Sequence, residues 1–119
     1  VMVDTSHGNS GKQAERQVTI AAELAQRVAA GERRIFGLMV ESNLEAGRQD
    51  LVPGVPLRRG VSITDACIGF DQTVPLLRNL AVAVRSRRQS LGAQMGIAAL
   101  VIKLSVAVQP ADCRSFLPI

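Results

Sequence analysis

The chain has 119 residues and a mass of 12.7 kDa, the size of one small domain. Its 47% hydrophobic content excludes a disordered chain, and Cys67 and Cys113 are too few and too irregular for a disulfide framework or a zinc motif. The net charge of +4 and pI near 10.0 raise nucleic acid as a partner. With three aromatic residues and no recognised module beside the arginines, no nucleic acid is expected. Arg78, Arg85, Arg87 and Arg88 read instead as a solvated helix face, or as a positive field for anionic, phosphorylated small substrates.

Val1 stands directly inside a β-like run, Val1-Met2-Val3, so the chain is read as a piece of a longer polypeptide. No charged region precedes an apolar stretch as in a signal peptide, and the two cysteines suit a reducing cytoplasm. The first run leads into Asp4-Thr5-Ser6-His7 and a polar turn, Gly8-Asn9-Ser10-Gly11. A helix is expected from about Lys12 to Ala30, with Val18, Ala21, Ala22, Ala25, Val28 and Ala29 as its apolar stripe. Gly31 follows it in the C′ position. The second run, Ile35 to Val40, is almost continuously apolar, as in a parallel strand buried on both faces, and ends at Glu41.

Ser42 to Gly60 reads as loop, broken by Gly47, Pro53, Gly54 and Pro56, with room for a short helical turn over Leu44 to Gln49. A short third strand is expected around Gly60 to Thr64, ending at Asp65. A second helix should begin near Asp71 to Thr73 and run to about Arg88, with Val74, Leu77, Leu80, Ala81 and Val84 as its core stripe and Pro75 in its first turn. The alternation gives an α/β fold with parallel strands. From Gln89 the character changes. Leu91 to Val108 is apolar but holds Lys103, and it falls short of the about 20 uninterrupted apolar residues of a membrane helix. No membrane is expected as a partner, and residues 89–119 read as an irregular apolar extension.

Three β-like runs thus end on His7, Glu41 and Asp65, at the strand ends where barrel enzymes keep their chemistry. Each residue has a plainer reading. A lone histidine is often a hydrogen-bonded structural group, and a carboxylate closing a buried strand can be paired with an arginine. At matching ends of adjacent strands, the three together suit a divalent Mn, Fe, Co or Zn ion. Cys67 is either a further ligand or a buried structural thiol. Asp4 either orients His7 or caps a turn. Gly8 to Lys12 fails as a P-loop, since Ser6 stands where glycine is needed and Gln13 where Ser or Thr is needed. Lys12 either faces an anion at the helix opening or is simply solvated.

Several stretches resemble the C-terminal part of class I 3-deoxy-D-arabino-heptulosonate 7-phosphate (DAHP) synthase. They are Val3-Asp4-Thr5-Ser6-His7-Gly8-Asn9-Ser10-Gly11-Lys12, Gly37 to Asn43, Gly47-Arg48-Gln49, and Gly60 to Ile68, continuing through the arginine-rich helix to about Arg88. The resemblance implies the last three strands of a (β/α)8 TIM barrel, a fold that needs about 250 residues. It divides the chain into residues 1–88, the barrel units, and 89–119, a tail unlike the family that a frameshift would explain.

It also implies an enzyme that condenses phosphoenolpyruvate with erythrose 4-phosphate in the first step of the shikimate pathway to aromatic amino acids. Family metal ligands are a cysteine, a histidine, a glutamate and an aspartate. His7, Glu41 and Asp65 match the last three, while the cysteine would precede Val1. Most phosphoenolpyruvate-binding residues and the feedback-inhibition features would lie upstream too. The complete enzyme is then expected to be a cytoplasmic homo-oligomer, and this chain to be inactive alone. The rival readings are a non-catalytic truncated remnant and an arginine-rich nucleic-acid-binding module.

Overall fold

The computed structural model describes residues 1–90 and the backbone of residues 101–104. Strands β1 (Met2–Asp4), β2 (Gly37–Val40) and β3 (Val101–Leu104) form a parallel sheet in the order β1-β2-β3. Helices α1 (His7–Ser10) and α2 (Arg16–Ala29) lie between β1 and β2, and α3 (Phe70–Ser90) precedes β3. Asp4 is in register with Met39, so β1 and β2 finish at the same level of the sheet. Beyond that rung the Thr5 N–H and hydroxyl both donate to the Met39 carbonyl, at 3.0 and 2.7 Å. Thr5 is fully buried there.

Side chains alternate across a strand, and Leu38 and Val40 share the face of β2 that packs under the helices. They join Ala21, Leu24, Ala25 and Val28 of α2 and Leu76, Leu80, Ala83 and Val84 of α3 in one core. The α2 stripe holds as expected at Ala21, Ala25 and Val28. Gln17 and Leu24 also lie on the buried face, while Val18, Ala22 and Ala29 are only partly buried. Gly31 closes the helix with φ +102°, and its N–H donates to the Val28 carbonyl at 3.0 Å.

Several expectations are corrected. The first long helix begins at Arg16, not Lys12, because Lys12 has φ +61°, which a right-handed helix excludes. The preceding polar turn instead holds the single turn α1. Residues 60–64 do not form a strand. The Ser62 Oγ accepts the Thr64 N–H at 3.2 Å, a local bond that competes with a ladder. The segment makes one isolated bridge, Ser62 with Arg48, and the residues after it make two more, Cys67 with Gly47 and Ile68 with Ser42. Those bridges also replace the expected helical turn over Leu44 to Gln49.

The buried face of α3 is turned by about one residue, to Thr73, Leu76, Leu80, Ala83, Val84 and Arg87. Val74, Leu77 and Ala81 flank it, half-buried. The helix starts earlier than expected because the Gly69 N–H is accepted by the Gln72 side chain at 3.2 Å, half of a capping box. Pro75 therefore sits in the second turn, where its missing N–H forfeits one helical bond. Part of the expected irregular tail, Val101–Leu104, runs as a strand beside β2; residues 91–100 and 105–119, including Cys113, lie outside the described residues. Among the described residues, no helix is long and apolar enough to cross a membrane.

Arg87 departs furthest from the sequence reading. It is 5% exposed, and its Nη1 donates to the carbonyls of Glu32 and Ile35 at 2.9 and 3.0 Å. The guanidinium thus satisfies the chain on its approach to β2, and it is not available to a nucleic acid. Nearby, Glu32 receives the Arg34 guanidinium on both carboxylate oxygens, at 3.0 and 2.6 Å. That hydrogen bonding holds its carboxyl down to about 2. Replacing Arg87 by Met should lower stability by about 2–4 kcal/mol, since two carbonyls lose a charged donor. Urea unfolding of the chain would read this, and a change within 0.5 kcal/mol (about the noise of surface substitutions) would contradict the assigned role.

Candidate metal centre

The site begins where β1 ends. Asp4 Oδ1 accepts the Ser6 N–H at 2.8 Å, and its Oδ2 lies 2.8 Å from His7 Nδ1. An ionised carboxylate only accepts, so Nδ1–H donates and Nε2 is left facing the rest of the site. Asp4 therefore does both things left open in the sequence: it shapes the turn and orients His7. The imidazole is carried at φ +36°, a backbone conformation uncommon outside glycine. Closure of the loop supports it, with Lys12 N–H donating to the His7 carbonyl at 2.9 Å.

Across from this loop, Glu41 follows directly on β2. Its Oε2 accepts the Ser6 hydroxyl at 2.8 Å, and its Oε1 lies 3.5 Å from His7 Nε2. The backbone of Glu41 is clamped by the fully buried Gln17 of α2. The Gln17 Oε1 accepts the Glu41 N–H at 2.9 Å, and Nε2 donates to the Glu41 carbonyl at 3.3 Å. Asp65 comes from the bent segment after Ser62, with Oδ2 3.7 Å from His7 Nε2. Ser6, His7, Lys12, Glu41, Asp65 and Ala66 line a small cleft.

The structure therefore brings together His7, Glu41 and Asp65, each with a ligand atom within 4.8 Å of the other two. Metal–ligand distances of about 2.0–2.2 Å place neighbouring ligand atoms about 3–3.5 Å apart, so the observed spacing fits an ion after small side-chain adjustments. Asp4 behind His7 and Ser6 behind Glu41 supply the outer hydrogen bonds such ligands use. Cys67 is not in the group. It is buried, its Sγ points to the Asp65 carbonyl at 3.6 Å, and burial pushes the thiol pKa up, as in an unreactive structural cysteine.

Ser6 and Gln17 were not singled out from the sequence. Gln17 carried a signal, since it stands four residues before Ala21 on the buried stripe of α2. A polar side chain in that position needs a buried partner. Ser6 carried none beyond its place beside His7.

The hydrogen bond to Asp4 raises the His7 pKa above its usual value, with further contributions from the charges of Glu41, Asp4 and Asp65. A raised histidine pKa stabilises the fold below the unfolded value of about 6.5 and loses that contribution as pH rises through the folded value. Asp4→Asn should return the pKa toward the ordinary value. His7 is the chain's sole histidine, so NMR titration of its imidazole reads this without ambiguity. An unchanged pKa would refute the part given to Asp4.

A parallel sheet whose strand ends carry an imidazole and a carboxylate, met in one cleft by a second carboxylate from the bent segment after Ser62, defines an α/β protein with a candidate metal site. The chain belongs to the DAHP synthetase I family, whose model matches residues 1–78. It is 53% identical over 88 residues to the Phe-sensitive phospho-2-dehydro-3-deoxyheptonate aldolase of Escherichia coli K12, a match covering 74% of this chain and 25% of that one. A phospho-2-dehydro-3-deoxyheptonate aldolase of Haemophilus influenzae is 49% identical over 90 residues, with 76% and 25% covered. The structure of the Francisella tularensis aldolase superposes with a TM-score of 0.69 at 45% identity, covering 74% of this chain and 25% of that one. The chain thus spans about a quarter of the length of the relatives it matches.

Proposed function

We propose that residues 1–88 are the C-terminal units of a (β/α)8 barrel that acts as a metal-dependent DAHP synthase, condensing phosphoenolpyruvate with erythrose 4-phosphate. The observation that carries this reading is the convergence of His7, Glu41 and Asp65 in one cleft of a chain of the DAHP synthetase I family. The division near residue 88 rests on the change of composition from Gln89, beyond the family match over residues 1–78. Residues 89–119 are then an added tail, for which a shifted reading frame is the simplest origin.

In this reading His7, through Nε2, and the carboxylates of Glu41 and Asp65 are three ligands of the divalent ion. A divalent ion of the Mn, Fe, Co or Zn type supplies Lewis-acid polarisation of the aldehyde oxygen or activation of water. Asp4 holds His7 in the tautomer that leaves Nε2 toward the carboxylates, Ser6 turns Glu41, and Gln17 fixes the backbone that carries it. The remaining ligand and most of the groups that bind phosphoenolpyruvate belong to the part of the relatives that this chain does not match. The isolated chain is therefore inactive in the condensation.

In the 119-residue chain, His7→Ala, Glu41→Ala and Asp65→Ala should each weaken Mn²⁺ binding by at least about tenfold, the scale of a lost ligand or its support. Water-proton relaxation measures this directly. Parent-like binding in all three variants would remove the metal assignment.

A further inference from the structure

Lys12 is the residue of the cleft that the reading above leaves without a task. It is exposed at the rim, with its side chain 75% accessible and Nζ 4.0 Å from Asp65 Oδ1. An ion pair at that separation in water holds its partners weakly, so it does not explain why the ammonium stands there. The backbone is more informative. Gly11 and Lys12 are both left-handed, at φ +60° and +61°. A glycine would occupy the second position without the steric cost that lysine bears. Strain of this kind, kept beside a reactive cluster, points from the outlier toward a function. The Lys12 N–H closes the loop on the His7 carbonyl at 2.9 Å, which fixes the root of the side chain on the rim that carries His7.

The charges in the cleft say what such a lysine can do. Without a cation, Asp65 faces both the Lys12 ammonium and the His7 imidazole. A divalent ion on Asp65 takes over that carboxylate's charge and repels the ammonium. Lys12 is then a cation with a flexible stem, next to an ion and without its carboxylate partner. We propose that Lys12 is an anion-binding residue, exchanging Asp65 for the phosphate group of a phosphorylated substrate when the metal site is filled. This rests on the metal reading above, and it adds a specificity-determining residue to the three ligands.

Two effects of opposite sign follow. In Lys12→Met, Mn²⁺ should bind tighter than in the parent, by roughly fivefold, because a cation about 4 Å from a ligand oxygen is gone. The Mn²⁺-loaded variant should bind inorganic phosphate about tenfold more weakly, the loss expected for one charge-assisted contact. Phosphate binding is read by the broadening of its ³¹P NMR signal by bound Mn²⁺, in the 119-residue chain. Erythrose 4-phosphate added in parallel should displace phosphate and reverse its broadening if the site takes the substrate ester; a site for the free anion alone would leave the broadening unchanged. Lys12→Arg keeps the charge and should retain most of the broadening.

Phosphate broadening within twofold of the parent in Lys12→Met overturns the proposal, as does weaker Mn²⁺ binding together with a lowered thermal midpoint, which would make Lys12 structural. Absence of phosphate broadening in the Mn²⁺-loaded parent chain, or broadening that the ester does not reverse, also overturns it. Failure of the metal reading shows separately, as Mn²⁺ binding indifferent to Asp65→Ala.

Discussion

Three carboxylates, of Asp4, Glu41 and Asp65, converge on a single imidazole, and much of the local structure exists to hold that convergence. Like charges brought this close repel unless a cation sits among them. The protonated ring of His7 is one such cation, and its pKa is raised accordingly. A divalent ion bound as proposed would answer the same demand with twice the charge, in competition with the proton on Nε2.

The sheet makes this convergence possible. The register of Asp4 with Met39 brings the end of β1 level with the end of β2, so the loop after one and the carboxylate after the other meet above the same edge. Thr5, Gln17 and Ser6 then fix the geometry with buried or partly buried hydrogen bonds. Further along, Arg87 bonds the chain leading into β2 from the side of α3. The scaffold around the site is therefore polar as well as apolar. Thr5, Gln17 and Arg87 act on the backbone and Ser6 on the Glu41 carboxylate, while Leu38, Val40 and Leu80 supply the burial.

His7 and Glu41 were legible in the sequence because Glu41 directly follows one β-like run and His7 stands just past another, and strand ends are where side chains can leave the sheet together. Asp65 was legible for a different reason from the one that places it. It was expected at the end of a strand, but it is delivered by a bent segment stapled by Ser62 and Thr64. Short hydroxyl-bearing segments are where side chains compete with ladder bonds, and periodicity does not report that contest. On α3, Leu80 and Val84 are buried as expected, but Val74, Leu77 and Ala81 only flank the buried face, and Arg87 lies on it rather than in solvent. An arginine seven residues after Leu80 and three after Val84 stands on the buried stripe, and its two carbonyl partners lie 52 and 55 residues away in sequence. The strand Val101–Leu104 was unreadable for a similar reason, since its pairing with β2 is long-range.

The most direct measurement is an anomalous-scattering map from crystals grown with Mn²⁺. The ion is expected within about 2.3 Å of His7 Nε2 and of one oxygen each from Glu41 and Asp65, the range of such bonds. A peak bound by only one of the three, or located elsewhere on the chain, would contradict the account.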